Sequence, residues 1–333
     1  MSAKNATSVV TVLKNDTLNT KQKMRLIKLR MEHFFLGFND RKGFLMQLVI
    51  YLLLLGIGFV YLYPILYMFV TSMKSLSDLL DSAINWIPSS LYLSNYKQAY
   101  EVLNVRPALL GSLQIALFPT LLQVAVASLV GYGFARFEFP LKKFWFALMI
   151  ISFIIPPQIT MMPTYRLFST LGLTGSLLAF IVPASLGQGL NSTIFILIFY
   201  QFFKQTPRSL YEAAEVDGAS QFTNFFKIAI PMAVPAFIVS FLFSFVWYWN
   251  ETYLTSLYLT SSSTDITTIL LQLQSFSQNY ETLYPATEAG PNKINEGIKM
   301  AGTMVSILPL LITYFFLQRY FVESVDNTGI TGE

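Results

Sequence analysis

The chain has 333 residues, 54% of them hydrophobic and only 12% charged, with no cysteine and one histidine, His33. That excludes an ordinary soluble domain, disulfides and thiolate-held metals, and fits a protein with several membrane spans. The formal charge of +4 is lopsided: residues 1–43 carry nine Lys/Arg against three Asp/Glu, ahead of the first apolar run rather than on the folded basic surface that nucleic acid needs.

Residues 1–20 are polar and aperiodic, which predicts disorder. Over 21–38, Lys21, Lys23, Arg25, Lys28 and Arg30 mix with Met24, Ile27, Leu29, Met31, Phe34 and Phe35. That pattern reads either as an amphipathic helix on an anionic leaflet or as a solvated basic tail. Six uncharged stretches follow: 43–73, 107–135, 144–165, 167–203, 228–250 and 300–318. About 20 helical residues cross a hydrocarbon core of about 30 Å, so each is expected to hold one span. The fourth is read as one helix over about 176–203. The first is too long for a signal peptide and is expected to be retained. Pro156, Pro157 and Pro163 interrupt the third stretch, Pro231 and Pro235 the start of the fifth, and Pro309 the sixth. Such breaks survive in a membrane where protein or a water-filled path re-satisfies the backbone, so they mark either gating bends or kinked packing.

Six spans put both ends on one side, and that side carries 16 Lys/Arg against 6 on the other. The positive-inside rule then makes it cytoplasmic. The expected fold is an all-α polytopic membrane protein with six transmembrane helices and both termini cytoplasmic. It has a basic tail at 1–43, a membrane domain at 44–321 and a second tail at 322–333. A cytoplasmic loop falls at 204–231 and an external loop at 259–298.

The cytoplasmic loop is the most structured polar stretch. Thr206-Pro207 suits a first helical turn, since proline has no N–H to lose there. Ser209 and Glu212 have capping-box spacing. A short helix to about Val216 should close at Gly218, and a second should begin at Ala219-Ser220. The expected element is helix, sharp turn, helix. Its spacing resembles the EAA loop of bacterial ABC-importer permeases, E-A-A-x3-G-x9-I-x-L-P, matched by Glu212, Ala213, Ala214, Gly218, Ile228 and Pro231, with Ile230 in place of Leu. Asp217-Gly218-Ala219 is similar to the maltose-type, carbohydrate-uptake branch. So are Tyr63-Pro64, Ser72-Met73-Lys74, Asn95-Tyr96, Ala135-Arg136-Phe137, Trp249-Asn250-Glu251 and Leu317-Gln318-Arg319-Tyr320-Phe321. The segment 281–297 looks inserted, and the ending Gly329-Ile330-Thr331-Gly332 departs from the family pattern.

The resemblance implies a type I ABC-importer permease fold in a bacterial cytoplasmic (inner) membrane. The subunit would be non-catalytic, pairing with a second homologous permease as a heterodimer. Two ATP-binding-cassette subunits would bind ATP and Mg, and an external sugar-binding protein would deliver the solute, so this chain itself needs no cofactor. Glu212, Ala213, Ala214, Asp217 and Gly218 would couple to the ATPase. The external loop would meet the binding protein, with Gln272, Gln274, Gln278, Asn279 and Tyr280 as contacts. No glycine precedes a lysine, so no Walker loop is present, and no H-E-x-x-H occurs. Sugars are held by aromatic faces and hydrogen-bonding groups. Span residues of that kind are Gln114, Gln123, Asn191, Ser192, Thr193, Tyr248, Trp249 and Asn250; packing across helices is the other reading of each. Alternatives are an importer of a non-sugar solute and an ion-coupled secondary transporter. The second needs intramembrane carboxylates, and none of the six stretches has one.

Overall fold

The computed structural model describes residues 41–259, 266–285 and 294–329, together with 24, 28, 35, 37 and 38. Most of the basic tail, including most of the 21–38 segment read as amphipathic, lies outside the described residues. The chain divides into two units, Met1–Tyr67 and Met68–Glu333. In the first, β1 (Gly37–Phe38) pairs antiparallel with β2 (Arg41–Lys42). Helix α1 (Phe44–Ser72) then begins, 29 residues of near-continuous Leu, Ile, Val and aromatic side chains. Its most apolar window has no buried residue. A helix apolar on every face is stable only in apolar surroundings.

Among its described residues, the second unit forms helices and no strand. Helices α2 (Leu76–Leu80) and α3 (Ser94–Val102) precede α4 (Val105–Arg136), a 32-residue mast. Around it come α5 (Lys142–Ile154), α6 (Pro157–Thr170), α7 (Leu178–Ser185) and α8 (Ser192–Gln205). The loop helices are α9 (Arg208–Val216), α10 (Gln221–Asn224), a π-helical turn Phe225–Ala229 and α11 (Ile230–Met232). Then follow α12 (Val234–Asn250), α13 (Tyr253–Leu259), α14 (Ile269–Gln274), α15 (Phe276–Leu283) and α16 (Glu296–Gly329). Two apolar cores are strung along α4 and α12. One joins the first half of α4 and the second half of α12 to α3, α7 and α13–α16, around Phe180, Tyr258 and Ile269. The other joins the opposite halves to α8 and α9, around Phe195, Phe199, Phe203 and Tyr211.

Three helices are individually long and apolar enough to cross a membrane: α1, α4 and Glu296–Arg319 of α16. The third and fifth expected spans are bent pairs. Helices α5 and α6 meet at 98°, because each proline of Pro156-Pro157 forces the residue before it into an extended conformation (Ile155 ψ 121°, Pro156 ψ 129°). The segment Gln221–Met232 meets α12 at 74°. There Pro235, in the first turn of α12, has no N–H for the Pro231 carbonyl four residues back, so the helix breaks at Ala233, while the π turn upstream accommodates the ring of Pro231. The single helix expected over 176–203 is not formed. Helices α7 and α8, of 8 and 14 residues, are separated by a break at 186–191 in which Gly187 and Asn191 both take positive φ. Among the described residues, six continuous spanning helices are not formed.

Candidate functional site

The loop at 204–231 folds as helix, turn, helix. Its start differs from expectation: α9 begins at Arg208, Pro207 is the N-cap, and no side chain caps it. Ser209 already lies inside the first turn, so the Ser209/Glu212 capping box does not form and Glu212 carries no capping duty. The other end is a two-bond left-handed cap. The Gly218 N–H donates to Glu215 O at 3.0 Å and the Ala219 N–H to Ala214 O at 2.9 Å. Gly218 has φ +83°, and a Cβ there would meet nothing within 4 Å, so backbone angle rather than space requires glycine. Ser220 caps α10, its Oγ accepting from the Thr223 N–H at 3.2 Å. The Glu215 carboxylate then ties the two helices across the turn, accepting from Gln221 Nε2 at 2.7 Å and Asn224 Nδ2 at 3.4 Å.

Tyr211, absent from the motif read in the sequence, anchors this element. It is buried, and the Arg136 guanidinium lies 3.9 Å from its ring centre. Arg136 Nη2 also donates to Thr206 O at 2.7 Å, fixing the end of α4 to the entry of α9. Beneath them Tyr132 packs 4.9 Å from Phe225 and 5.3 Å from Phe203. A cleft of about 240 Å³ opens beside this anchor, lined by Arg136, Arg208, Glu138, Glu212 and Glu215. The Lys142 ammonium, 2.9 Å from Glu138, holds that carboxyl below its usual range. Of the expected coupling residues, Glu212, Ala213, Asp217 and Gly218 are exposed and Ala214 is half-buried. Val216 and Phe222 are 88% and 77% exposed, an apolar surface beside an acidic one.

The expected pathway residues separate into two groups. Asn191 and Asn250 are exposed, whereas Ser192, Tyr248 and Trp249 are buried. Tyr248 closes a hydrogen-bonded ring at the α7–α8 break. Its hydroxyl donates to Gln123 Oε1 at 2.8 Å and accepts from the Leu190 N–H at 3.1 Å, while Gln123 Nε2 donates to Leu190 O at 2.7 Å. A Cβ at Gly189 would overlap both side chains, so this close approach needs glycine. Ser192 turns back to Gly189 O at 3.0 Å. With these ring atoms engaged, Gln188 and Asn191 are the exposed hydrogen-bonding side chains of the break itself. Trp249 packs away from the ring against Phe245, its indole N–H unpartnered among the described residues. A larger recess of about 320 Å³ is lined by apolar groups such as Leu121, Val124, Phe237, Phe241 and Leu317, which offer a sugar no hydrogen bond.

On the 259–298 segment, Gln274 and Gln278 are exposed. Asn279 Nδ2 donates to Gln272 Oε1 at 2.6 Å, and Gln272 Nε2 to Thr267 Oγ1 at 3.0 Å. Tyr280 is a core residue, its hydroxyl donating to Gln98 Oε1 at 3.1 Å.

Residues 123–327 match the model of the binding-protein-dependent transport system inner membrane component family. The chain belongs to that family. The permease is 30% identical over 293 residues to the osmoprotective compounds uptake permease protein GgtD of Synechocystis sp., covering 86% of this chain and 93% of the relative. It is 28% identical over 279 residues to the arabinooligosaccharides transport system permease protein AraQ of Halalkalibacterium halodurans, covering 83% and 93%. Its fold is that of a solved bacterial ABC transporter involved in import of the acidic polysaccharide alginate, with TM-score 0.67 at 20% identity, over 85% of this chain and 99% of the other. The family resemblance read from Glu212–Pro231 therefore holds. The permease is a membrane-embedded transport component of a family that works with an ATPase and a solute-binding protein. These relatives lend the ion-coupled alternative no support.

Proposed function

We propose that this permease forms part of the translocation pathway for an oligosaccharide in an ATP-driven importer. It pairs with a second, homologous permease over two ATPase subunits, which bind the ATP and Mg. Related systems are named for arabinooligosaccharides, polygalacturonan/rhamnogalacturonan and lactose, which supports the substrate class. Six crossings with both termini cytoplasmic follow from the Lys/Arg split, the fourth being made by α7, its break and α8 together. Placed so, the Glu212 loop faces the cytoplasm, in a bacterial inner membrane.

The observation that carries the reading is the α9–Gly218–α10 protrusion, presenting Glu212, Ala213, Asp217 and Val216 on a base fixed by Tyr211 and Arg136. A coupling element has to be rigid at its root and accessible at its tip, and the fixed base with its exposed tip supports this reading. The test is reconstitution of the permease with its genomic neighbours in vesicles. Oligosaccharide uptake should require ATP and the binding protein, and should disappear in Gly218→Val while the subunit remains in the membrane. Normal ATPase association and uptake in Gly218→Val would refute the coupling assignment. Wild-type uptake of osmolytes but not oligosaccharides would refute the substrate class.

A further inference from the structure

The excursion between α1 and α3 is built inside out. Its ends are tied: the Tyr92 N–H donates to Met73 O at 2.9 Å, and Asn95 Nδ2 donates to Ser72 O at 2.9 Å and Lys74 O at 2.8 Å. Lys74 is 6% exposed, its ammonium donating to Ile84 O at 2.9 Å and Asn85 O at 2.7 Å. Asp78 is 3% exposed, accepting from the Ser89 N–H at 3.1 Å and Ser89 Oγ at 2.5 Å. The Ser72-Met73-Lys74 and Asn95-Tyr96 motifs are thus the clasp of a closed loop. Two of the loop's three charges face inward, where their hydrogen bonds are satisfied. Outward stand Leu80, Ile87, Leu91 and Leu93, at 79%, 84%, 71% and 59% exposure, with Trp86 and Tyr92 half-exposed beside them.

Water would select the opposite arrangement, since buried charges cost free energy even when paired and exposed large apolar groups gain nothing. The position of the loop identifies the outer medium. A 29-residue helix is about 43 Å long at 1.5 Å per residue, close to the full bilayer thickness of about 40–45 Å with its headgroup zones. The loop begins at the end of that helix and so sits at headgroup level, where Trp and Tyr concentrate. The geometry points to residues 76–93 as a membrane-anchoring loop, whose Leu80, Ile87 and Leu91 insert into the boundary between headgroups and acyl chains. One exposed acid, Asp81, leaves the surface nearly uncharged, so the occupant is the apolar part of the lipid rather than a headgroup ion.

The test uses the natural absence of cysteine. Ile87→Cys in the assembled importer is labelled with a small fluorophore in vesicles, and brominated lipid and aqueous iodide are compared as quenchers. Gln278→Cys, measured with the binding protein left out, serves as the water-exposed reference. Insertion predicts at least threefold stronger quenching of the Ile87 label by bromolipid than of the reference, with iodide quenching reduced by a similar factor. Iodide quenching equal to the reference would show a solvated loop. Protection from both quenchers would show that another protein subunit covers it. Either result overturns the proposal. Leu91→Cys, read the same way, serves if the Ile87 variant fails to assemble.

Discussion

At the scale of single residues, the loop at 204–231 divides its duties differently from what motif spacing implied. A side chain forced into the left-handed region at Gly218 costs about 1–2 kcal/mol, small against a whole membrane bundle but large for a two-helix element. Gly218→Val should leave membrane levels unchanged on immunoblots and abolish co-purification of the ATPase. Glu212 has no cap to maintain, so Glu212→Gln isolates its charge. Uptake should fall part-way, and the loss should shrink as ionic strength rises. Tyr211 makes the sharper comparison. Its hydroxyl is buried without a partner among the described residues, so Tyr211→Phe should match wild type in thermal stability or exceed it slightly. Tyr211→Ala removes the ring beneath Arg136 and should cost about 3–5 kcal/mol, the usual loss for a buried aromatic. Six motif positions were legible in the sequence because they lie within twenty residues at fixed spacing. Tyr211, one residue before Glu212, was not, because its role depends on Arg136 arriving from 75 positions away in the chain.

Among elements, the long helices α1 and α4 were legible from hydropathy alone, and the prolines marked the α5–α6 and α11–α12 bends. Pro183, Gly187 and Gly189 interrupt the α7–α8 stretch in the sequence, but the stretch stays uncharged, and the groups that replace its missing helical hydrogen bonds, Gln123 and Tyr248, come from other elements. Tyr248→Phe leaves Gln123 Oε1 and the Leu190 N–H unpaired, at about 1–3 kcal/mol for a buried polar group. The melting temperature of the purified complex should fall accordingly, and Gly189→Ala should lower it further. In the 76–93 loop, hydrogen bonds from Ser89 hold the Asp78 carboxyl below its ordinary value of 3.8. A depressed carboxyl stabilises the loop above that pH and ceases to do so as the pH falls through its lower folded value. Hydrogen exchange at the Ser89 amide should therefore stay slow from neutral pH down to about 4, and Asp78→Asn should speed it throughout.

For the whole molecule, the orientation proposed from Lys/Arg asymmetry has a direct check. Single cysteines at Asn5 and Thr331 should resist an impermeant maleimide in intact cells, and one at Ser262 should react. Labelling at residue 5 would invert the assignment. The ring around Leu190 also has a consequence for how the protein is made. Leu190 O takes its partner from Gln123, synthesised 67 residues earlier, but the Leu190 N–H waits for Tyr248, 58 residues later. Helices α7 and α8 reach only about 12 and 21 Å at 1.5 Å per residue, too short for either to integrate alone. In the six-crossing arrangement proposed above, the fourth segment enters the bilayer against an α4 already in place and stays incompletely satisfied until α12 emerges. A chain released before residue 248 carries that open amide into the bilayer, a defect that membrane quality-control proteases can recognise.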